Sequence, residues 1–122
     1  MDIEAAFYGF LNDNANISNY FEDISPLVRP TNFPCITYTF IAKPRHHEID
    51  VVRARVQLDI WAKSYSDKQQ GRQTVFDELN FWRGDMNGIT VKSMTILSEL
   101  ENYENDTEIY RQIMDFKIVY EE

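Results

Sequence analysis

The chain of 122 residues has little cysteine, glycine and proline: one Cys, four Gly and four Pro. A lone cysteine cannot form a disulfide within the chain, so a disulfide-stabilised scaffold is excluded, and Cys35 is expected to be a buried thiol on a strand. The glycines are scattered, so no phosphate-binding glycine loop can be assembled. They are Gly9, Gly71, Gly84 and Gly88.

Long hydrophobic runs are also lacking, and no segment approaches the roughly 20 apolar residues of a transmembrane helix. The N-terminal segment is acidic and amphipathic, unlike a secretory signal, so synthesis and folding are expected in the cytosol. Twelve basic residues stand against 20 acidic ones, a net charge of −8. This balance argues against nucleic-acid binding and against docking on an anionic membrane.

The chain is nevertheless rich in core-forming residues. Hydrophobic residues make up 43 %, with 8 Phe, 7 Tyr and 2 Trp. This composition excludes a disordered chain, and the length predicts one domain over residues 1–122. Both ends are acidic, whereas residues 35–94 are mildly basic. A subunit with two oppositely charged sides could meet the opposite side of a neighbour.

Periodicity predicts a helix, a packed connection and a first hairpin in the first half. Residues 2–12 show helical spacing, and residues 15–34 form an irregular connection. Residues 35–42 are β-branched and aromatic, which favours a strand, and a polar loop follows at 43–50. Residues 51–62 then alternate, from residue 52 on, between apolar even-numbered and largely polar odd-numbered side chains, which predicts a strand with one buried face.

The second half repeats the hairpin after a helix. Ser66 is expected to cap a helix over about 67–83 that ends at Gly84. A turn at 84–88, a strand at 89–100, a loop at 101–107 and a strand at 108–120 complete the chain. The order α-β-β-α-β-β predicts an α+β fold: an antiparallel sheet of about four strands, made of two hairpins, with helices packed on one face.

No constellation of residues predicts chemistry. Neighbours in an extended segment point to opposite sides, so His46 and His47 cannot easily share one metal ion. No carboxylate stands out as placed in an apolar pocket, and no nucleophile-elbow motif is present. The expectation is therefore a non-enzyme without catalytic, metal or cofactor-binding residues.

The polar stripe of the alternating strand is the most informative surface feature. Arg53, Arg55, Gln57 and Trp61 belong to it, together with Asp59. Arg and Trp are favoured anchors of protein interfaces, so an exposed Trp61 in line with two arginines favours an interface over a merely solvated surface.

The sequence resembles the tail-completion or tail-terminator proteins of long-tailed bacteriophages. The resemblance rests on the order of three segments across nearly the whole chain. They are residues 29–38, where prolines lead into the first strand; residues 55–62, similar to the family's hallmark strand; and residues 103–118, similar to its C-terminal hairpin.

The resemblance implies a structural virion protein, assembled in the host cytoplasm. Such proteins form a ring, commonly a hexamer, on the head-proximal end of the tail tube. The ring stops tube polymerisation and offers a docking surface to the head connector. Implied partners are further copies of the chain, the tube protein and a head-completion or connector protein, with DNA passing through the lumen without sequence-specific binding.

The candidate subunit or tube interface combines the polar stripe with the 43–50 loop, which could reach a neighbour or the tube. Its residues are Lys43, Arg45, His46, His47, Arg53, Arg55, Gln57 and Trp61. Two alternatives remain open. One is a head–tail neck adaptor on the portal side, and the other is a bacterial α+β ligand-binding module or small enzyme.

Overall fold

A computed structural model describes residues 2–26, 32–42, 45–46 and 51–121, with the backbone alone at 42, 45 and 46. The helices are α1 (Ile3–Asp13), α2 (Ala15–Ser18) and α3 (Tyr65–Leu79). The strands are β1 (Asp23–Pro26), β2 (Cys35–Ala42), β3 (Arg45–His46), β4 (Val51–Ala62), β5 (Gly84–Met86), β6 (Ile89–Glu104) and β7 (Ile109–Glu121).

The strands of the described residues form one mixed sheet in the order β1-β2-β4-β7-β6-β5, with β3 beside β4. Its centre is the predicted pair of hairpins, because β2–β4, β4–β7 and β6–β7 all pair antiparallel. The α+β class and the two hairpins are therefore confirmed.

The predicted size of the sheet is wrong, because six strands follow one another instead of four. The prediction of purely antiparallel pairing is also wrong, since β1 pairs parallel with β2. Both edge strands, β1 and β5, are only three or four residues long. Such short segments show no periodicity, and they become strands through pairing with distant residues.

The predicted bounds of the central helix are corrected at both ends. The N-cap is Ser64, whose Oγ accepts a hydrogen bond from the Asp67 amide, so Ser66 lies inside the helix. The helix ends at Leu79, four residues earlier than predicted, and Gly84 begins β5 instead of capping α3. Asn80 ends the helix because its Oδ1 accepts from the Ile96 amide on β6 at 3.0 Å.

The loops are shorter than predicted. Part of the predicted 43–50 loop, Arg45–His46, pairs with Val51 and Val52 of β4. The predicted 101–107 loop is also corrected: β6 continues to Glu104 and β7 starts at Ile109. The acidic residues Glu101 and Glu104 therefore lie on a strand near the tip of a long hairpin.

The core lies between the helices and one face of the sheet. The even-numbered residues Val52 to Ala62 of β4 are buried, as the alternation predicted, and those from Val52 to Ile60 belong to one core cluster with Phe7 and Leu11 of α1. Helix α1 contacts β1 at one edge of the sheet and β5 at the other. The Asn87 amide, next to β5, donates to the Ala6 carbonyl at 3.0 Å. The sheet is thus curled around α1 as a half-barrel.

Candidate assembly surface

The sheet face opposite the helices, called the polar face here, carries the odd-numbered side chains of β4. Arg53, Arg55, Gln57 and Trp61 lie on it, as predicted from the alternation. Lys43 and His47 lie outside the described residues, as do the side chains of Arg45 and His46. The structure therefore brings four of the eight candidate residues together on one strand.

A network of polar contacts is centred on Asp59 of the polar face. The Arg111 Nη2 of β7 is 2.6 Å from Asp59 Oδ2, and Gln57 Nε2 donates to Asp59 Oδ1 at 3.2 Å. The carbon of the Arg111 guanidinium lies 4.7 Å from the centre of the Trp61 ring. Trp61 Nε1 donates to Thr37 Oγ1 of β2 at 2.9 Å, so the network links three adjacent strands.

This network corrects the expectation of an exposed Trp61. The ring is half-buried because Arg111 covers it and Thr37 fixes its nitrogen. Asp59 is more deeply buried, with only 3 % of its side chain exposed. A charged carboxylate at this depth requires a paired cation, and Arg111 provides one. Sequence spacing does not predict that Asp59 and Arg111 form a pair, because 52 residues separate them.

A second cluster on the polar face involves Asp115 of β7. Arg55 Nη2 and Ser98 Oγ both lie 3.3 Å from Asp115 Oδ2. Two buried polar atoms of this face, Asp115 Oδ1 and Arg111 Nε, have no hydrogen-bond partner in the described part of the chain. Buried polar atoms normally have partners, so these two mark positions at which the described residues leave the hydrogen bonding of the polar face incomplete.

Sequence reasoning missed a second set of ion pairs, between α3 and the part of the β6–β7 hairpin near its tip. Lys68 is only 2 % exposed, and its Nζ lies 2.6 Å from Glu101 Oε1 and 4.6 Å from the centre of the Tyr65 ring. Arg72 binds both oxygens of Glu99, at 2.7 and 2.8 Å.

These contacts shift the ionisation of the Arg72–Glu99 pair. The hydrogen bonds from Arg72 hold the pKa of Glu99 below its ordinary value of 4.5. Gln112, the polar exception on the apolar face of β7, adds a third bond to Glu99 at 3.1 Å. The sequence did contain a signal for the Lys68 pair. Helical spacing places this lysine on the buried stripe of α3, together with Gly71, Val75 and Leu79.

The described residues contain no group of three or more His, Cys, Asp or Glu side chains that could hold a metal ion. Cys35 is buried as expected, and burial, with a smaller effect from Asp23, raises the pKa of its thiol to about 12. Within the same residues, no helix has the length and apolar character needed to cross a bilayer.

The fold and this network define an α+β protein that carries connected polar side chains on one face of a curled sheet. The sequence profile of the family described as tail completion protein gp17 matches residues 5–121, and the chain belongs to this family. It is a structural protein of the virion tail. The resemblance found in the sequence is thus confirmed at the level of the family.

Comparison of structures agrees on the fold. A chain in the virion of a native gene transfer agent particle matches with a TM-score of 0.71, covering 98 % of this chain and 95 % of that one. The sequence identity is 9 %, so the match shows a shared fold. No curated protein sequence matches the chain.

Proposed function

We propose that the protein forms a ring that caps the head-proximal end of the tail tube, stops tube polymerisation and provides the head–tail joining interface. The observation that carries the proposal is the family match over residues 5–121. In this proposal residues 1–122 act as one α+β unit, and the ring is a hexamer with DNA passing through its lumen.

The polar face supports the proposal as a subunit or tube interface. A ring requires a heterologous contact, in which two different surfaces of the same subunit meet. The polar face offers Arg53, Arg55 and Lys117, whereas the tip of the β6–β7 hairpin offers Glu104, Asp106 and Glu108. Opposite charges on separate surfaces favour head-to-tail association over face-to-face pairing.

The same geometry supports a structural instead of a catalytic role. Asp59, the most buried carboxylate of the polar face, is bound by Arg111 and Gln57. A general acid or base needs a carboxyl group that can exchange a proton with a substrate. We propose that this network holds the strand surface in shape for contact with other proteins.

Deletion of the gene tests the ring cap. Electron microscopy of the particles is expected to show tails of abnormal length without attached heads, and complementation with the intact gene restores both. Tails of normal length with attached heads contradict the proposal. Pull-down against the tube protein and the portal protein separates it from a neck adaptor, because a cap binds the tube and an adaptor binds the portal.

A further inference from the structure

Phe81, just after α3, is the most exposed large hydrophobic residue of the described chain, at 79 %. Its backbone φ is 67°, in the left-handed region that bulky side chains rarely adopt. The Phe81 ring is exposed to water and its backbone conformation is unfavourable, so neither feature stabilises the isolated subunit. This combination is typical of a residue whose partner lies in another molecule.

The backbone at Phe81 is fixed on both sides. The Phe81 amide donates to the Met94 carbonyl at 2.7 Å, and the preceding Asn80 binds the Ile96 amide. The following Trp82 packs on Phe10 of α1, with ring centres 4.5 Å apart. The exposed ring is therefore presented by a rigid support, and little conformational entropy is lost when it binds.

A positive charge accompanies the ring. Arg83 is exposed two residues further on, and it forms no ion pair with any described residue. Residues 81–83, called the Phe81 knob here, thus combine an aromatic ring with a cation. A surface that binds this knob needs apolar side chains to contact the Phe81 ring and, at its acidic rim, carboxylates to pair with Arg83.

Such a surface lies at the other edge of the sheet, between the start of α1 and β2. This groove, called the α1–β2 groove here, has a volume of about 640 Å³. The described residues that line it are Asp2, Glu4, Ala5, Tyr8, Pro26, Tyr38, Thr39 and Phe40. Phe7 packs against the aromatic residues of the groove through edge-to-face contacts. Its ring centre lies 5.1 Å from that of Tyr38 and 5.7 Å from that of Phe40.

The groove also contains a polar atom that no described residue satisfies. Tyr38 is 4 % exposed, and its hydroxyl has no hydrogen-bond partner in the described part of the chain. Burial, then Tyr8 and Glu4, raises the pKa of this hydroxyl to about 12, so it stays protonated at neutral pH. It can donate a hydrogen bond to a carbonyl group of an incoming segment.

We propose that the Phe81 knob of one subunit binds in the α1–β2 groove of the next copy in the ring. The Phe81 ring contacts Tyr8 and Phe40, and Arg83 meets the acidic rim at Asp2 and Glu4. The inference rests on the proposed ring. The knob lies by the β5–β6 edge and the groove by the β1–β2 edge, and a contact between opposite edges is heterologous, as ring closure requires.

Self-association measured by sedimentation velocity tests this contact. Phe81→Ala is expected to weaken association about 30-fold, the effect of losing one interface anchor of about 2 kcal/mol. Tyr65→Ala is the matched control, because Tyr65 is also an exposed aromatic residue but begins α3, outside the knob, the groove and the acidic hairpin residues. Melting temperatures of both variants should equal that of the wild type, since neither side chain is buried.

A charge exchange identifies the partner of Arg83. Arg83→Glu and Glu4→Arg should each weaken association, and the double variant should restore it. Intact association of Phe81→Ala, or no restoration in the double variant, overturns the knob contact and leaves the ring standing. A wild-type chain that stays monomeric, alone and with isolated tube ends, overturns the ring itself.

Crosslinking tests whether the residue that occupies the groove comes from a neighbouring copy or from the same chain. Phe81→Cys and Tyr8→Cys are prepared as two differently tagged proteins and mixed under oxidising conditions. A disulfide between the two tags supports the proposal, and its absence overturns it. The native Cys35 gives little background because it is 1 % exposed.

Discussion

Arg111 and Asp59 form an ion pair of 2.6 Å between β7 and β4, on the sheet face opposite the described helices. The Arg111 guanidinium lies over the Trp61 ring, and only 3 % of the Asp59 side chain is exposed, so this carboxylate is shielded from water in a way that surface carboxylates are not. The geometry of the pair fixes the shape of the polar face before any partner binds.

Removing the cation should therefore destabilise the fold. Arg111→Met leaves Asp59 charged and buried, and we expect a loss of about 3 kcal/mol in the free energy of unfolding. Lys117→Met is the control on the same strand and face, with a change of at most about 0.5 kcal/mol. Urea denaturation measures both, and equal midpoints for the two variants would show that the buried pair contributes nothing.

The contact between α1 and the β5 edge predicts an unusual sign at Gly9. Gly to Ala inside a helix normally stabilises by about 0.5–1 kcal/mol. Here the new Cβ would lie 2.6 Å from Asn87 Nδ2, which is bound to the Ala6 carbonyl. We expect Gly9→Ala to destabilise the protein by about 1 kcal/mol, because that bond must break.

The same position provides its own control. Asn87→Gly removes the obstructing amide and tolerates the positive φ of 49° at this turn. In this background Gly9→Ala should stabilise the protein in thermal melts. If Gly9→Ala has the same effect in both backgrounds, the contact with Asn87 is not responsible.

The Arg72–Glu99 pair predicts a pH dependence. Because the folded-state pKa of Glu99 lies below 4.5, its contribution is fully present above pH 4.5 and is lost as the pH falls through the folded-state pKa. Thermal melts should show Glu99→Gln less stable than the wild type at pH 7. The difference should shrink below pH 4.5, and a constant difference would contradict the assignment.

Charge reversal tests the polar face as an interface. Arg53→Glu with Arg55→Glu should abolish assembly but change stability by less than about 1 kcal/mol, since the Arg55–Asp115 pair is half-exposed. Lys63→Glu with Lys92→Glu makes the same charge change at two lysines outside the stripe. Light scattering compares the assemblies, and equal assembly of the two double variants would refute the role of the stripe.

Local patterns predicted the centre of the fold well. The alternation in residues 51–62 predicted β4 and its buried face, because the direction of strand side chains depends only on position along the strand. The end of α3 could not be predicted in this way. Gly84 is a plausible cap, but Asn80 ends the helix earlier through a hydrogen bond to β6, a contact that depends on the folded chain.

The candidate surface was likewise predicted only in part from the sequence. The stripe of Arg53, Arg55, Gln57 and Trp61 was visible in the sequence. Its organisation depends on Arg111 and Asp115, which arrive opposite it only through the register between β4 and β7. Phe81 was also invisible as a candidate, because its exposure results from the early end of α3 and its positive φ.

The position of α1 inside the curled sheet has a consequence for biosynthesis. The helix is made first, yet Asn87, which donates to its Ala6 carbonyl, lies 81 residues later in the chain, next to β5. The β5 side of the helix therefore stays uncovered until that segment has left the ribosome, and contacts so distant in sequence form slowly. A nascent chain can pack Phe7 against Tyr38 and Phe40 early, but it cannot close the sheet around the helix before β5 has been made.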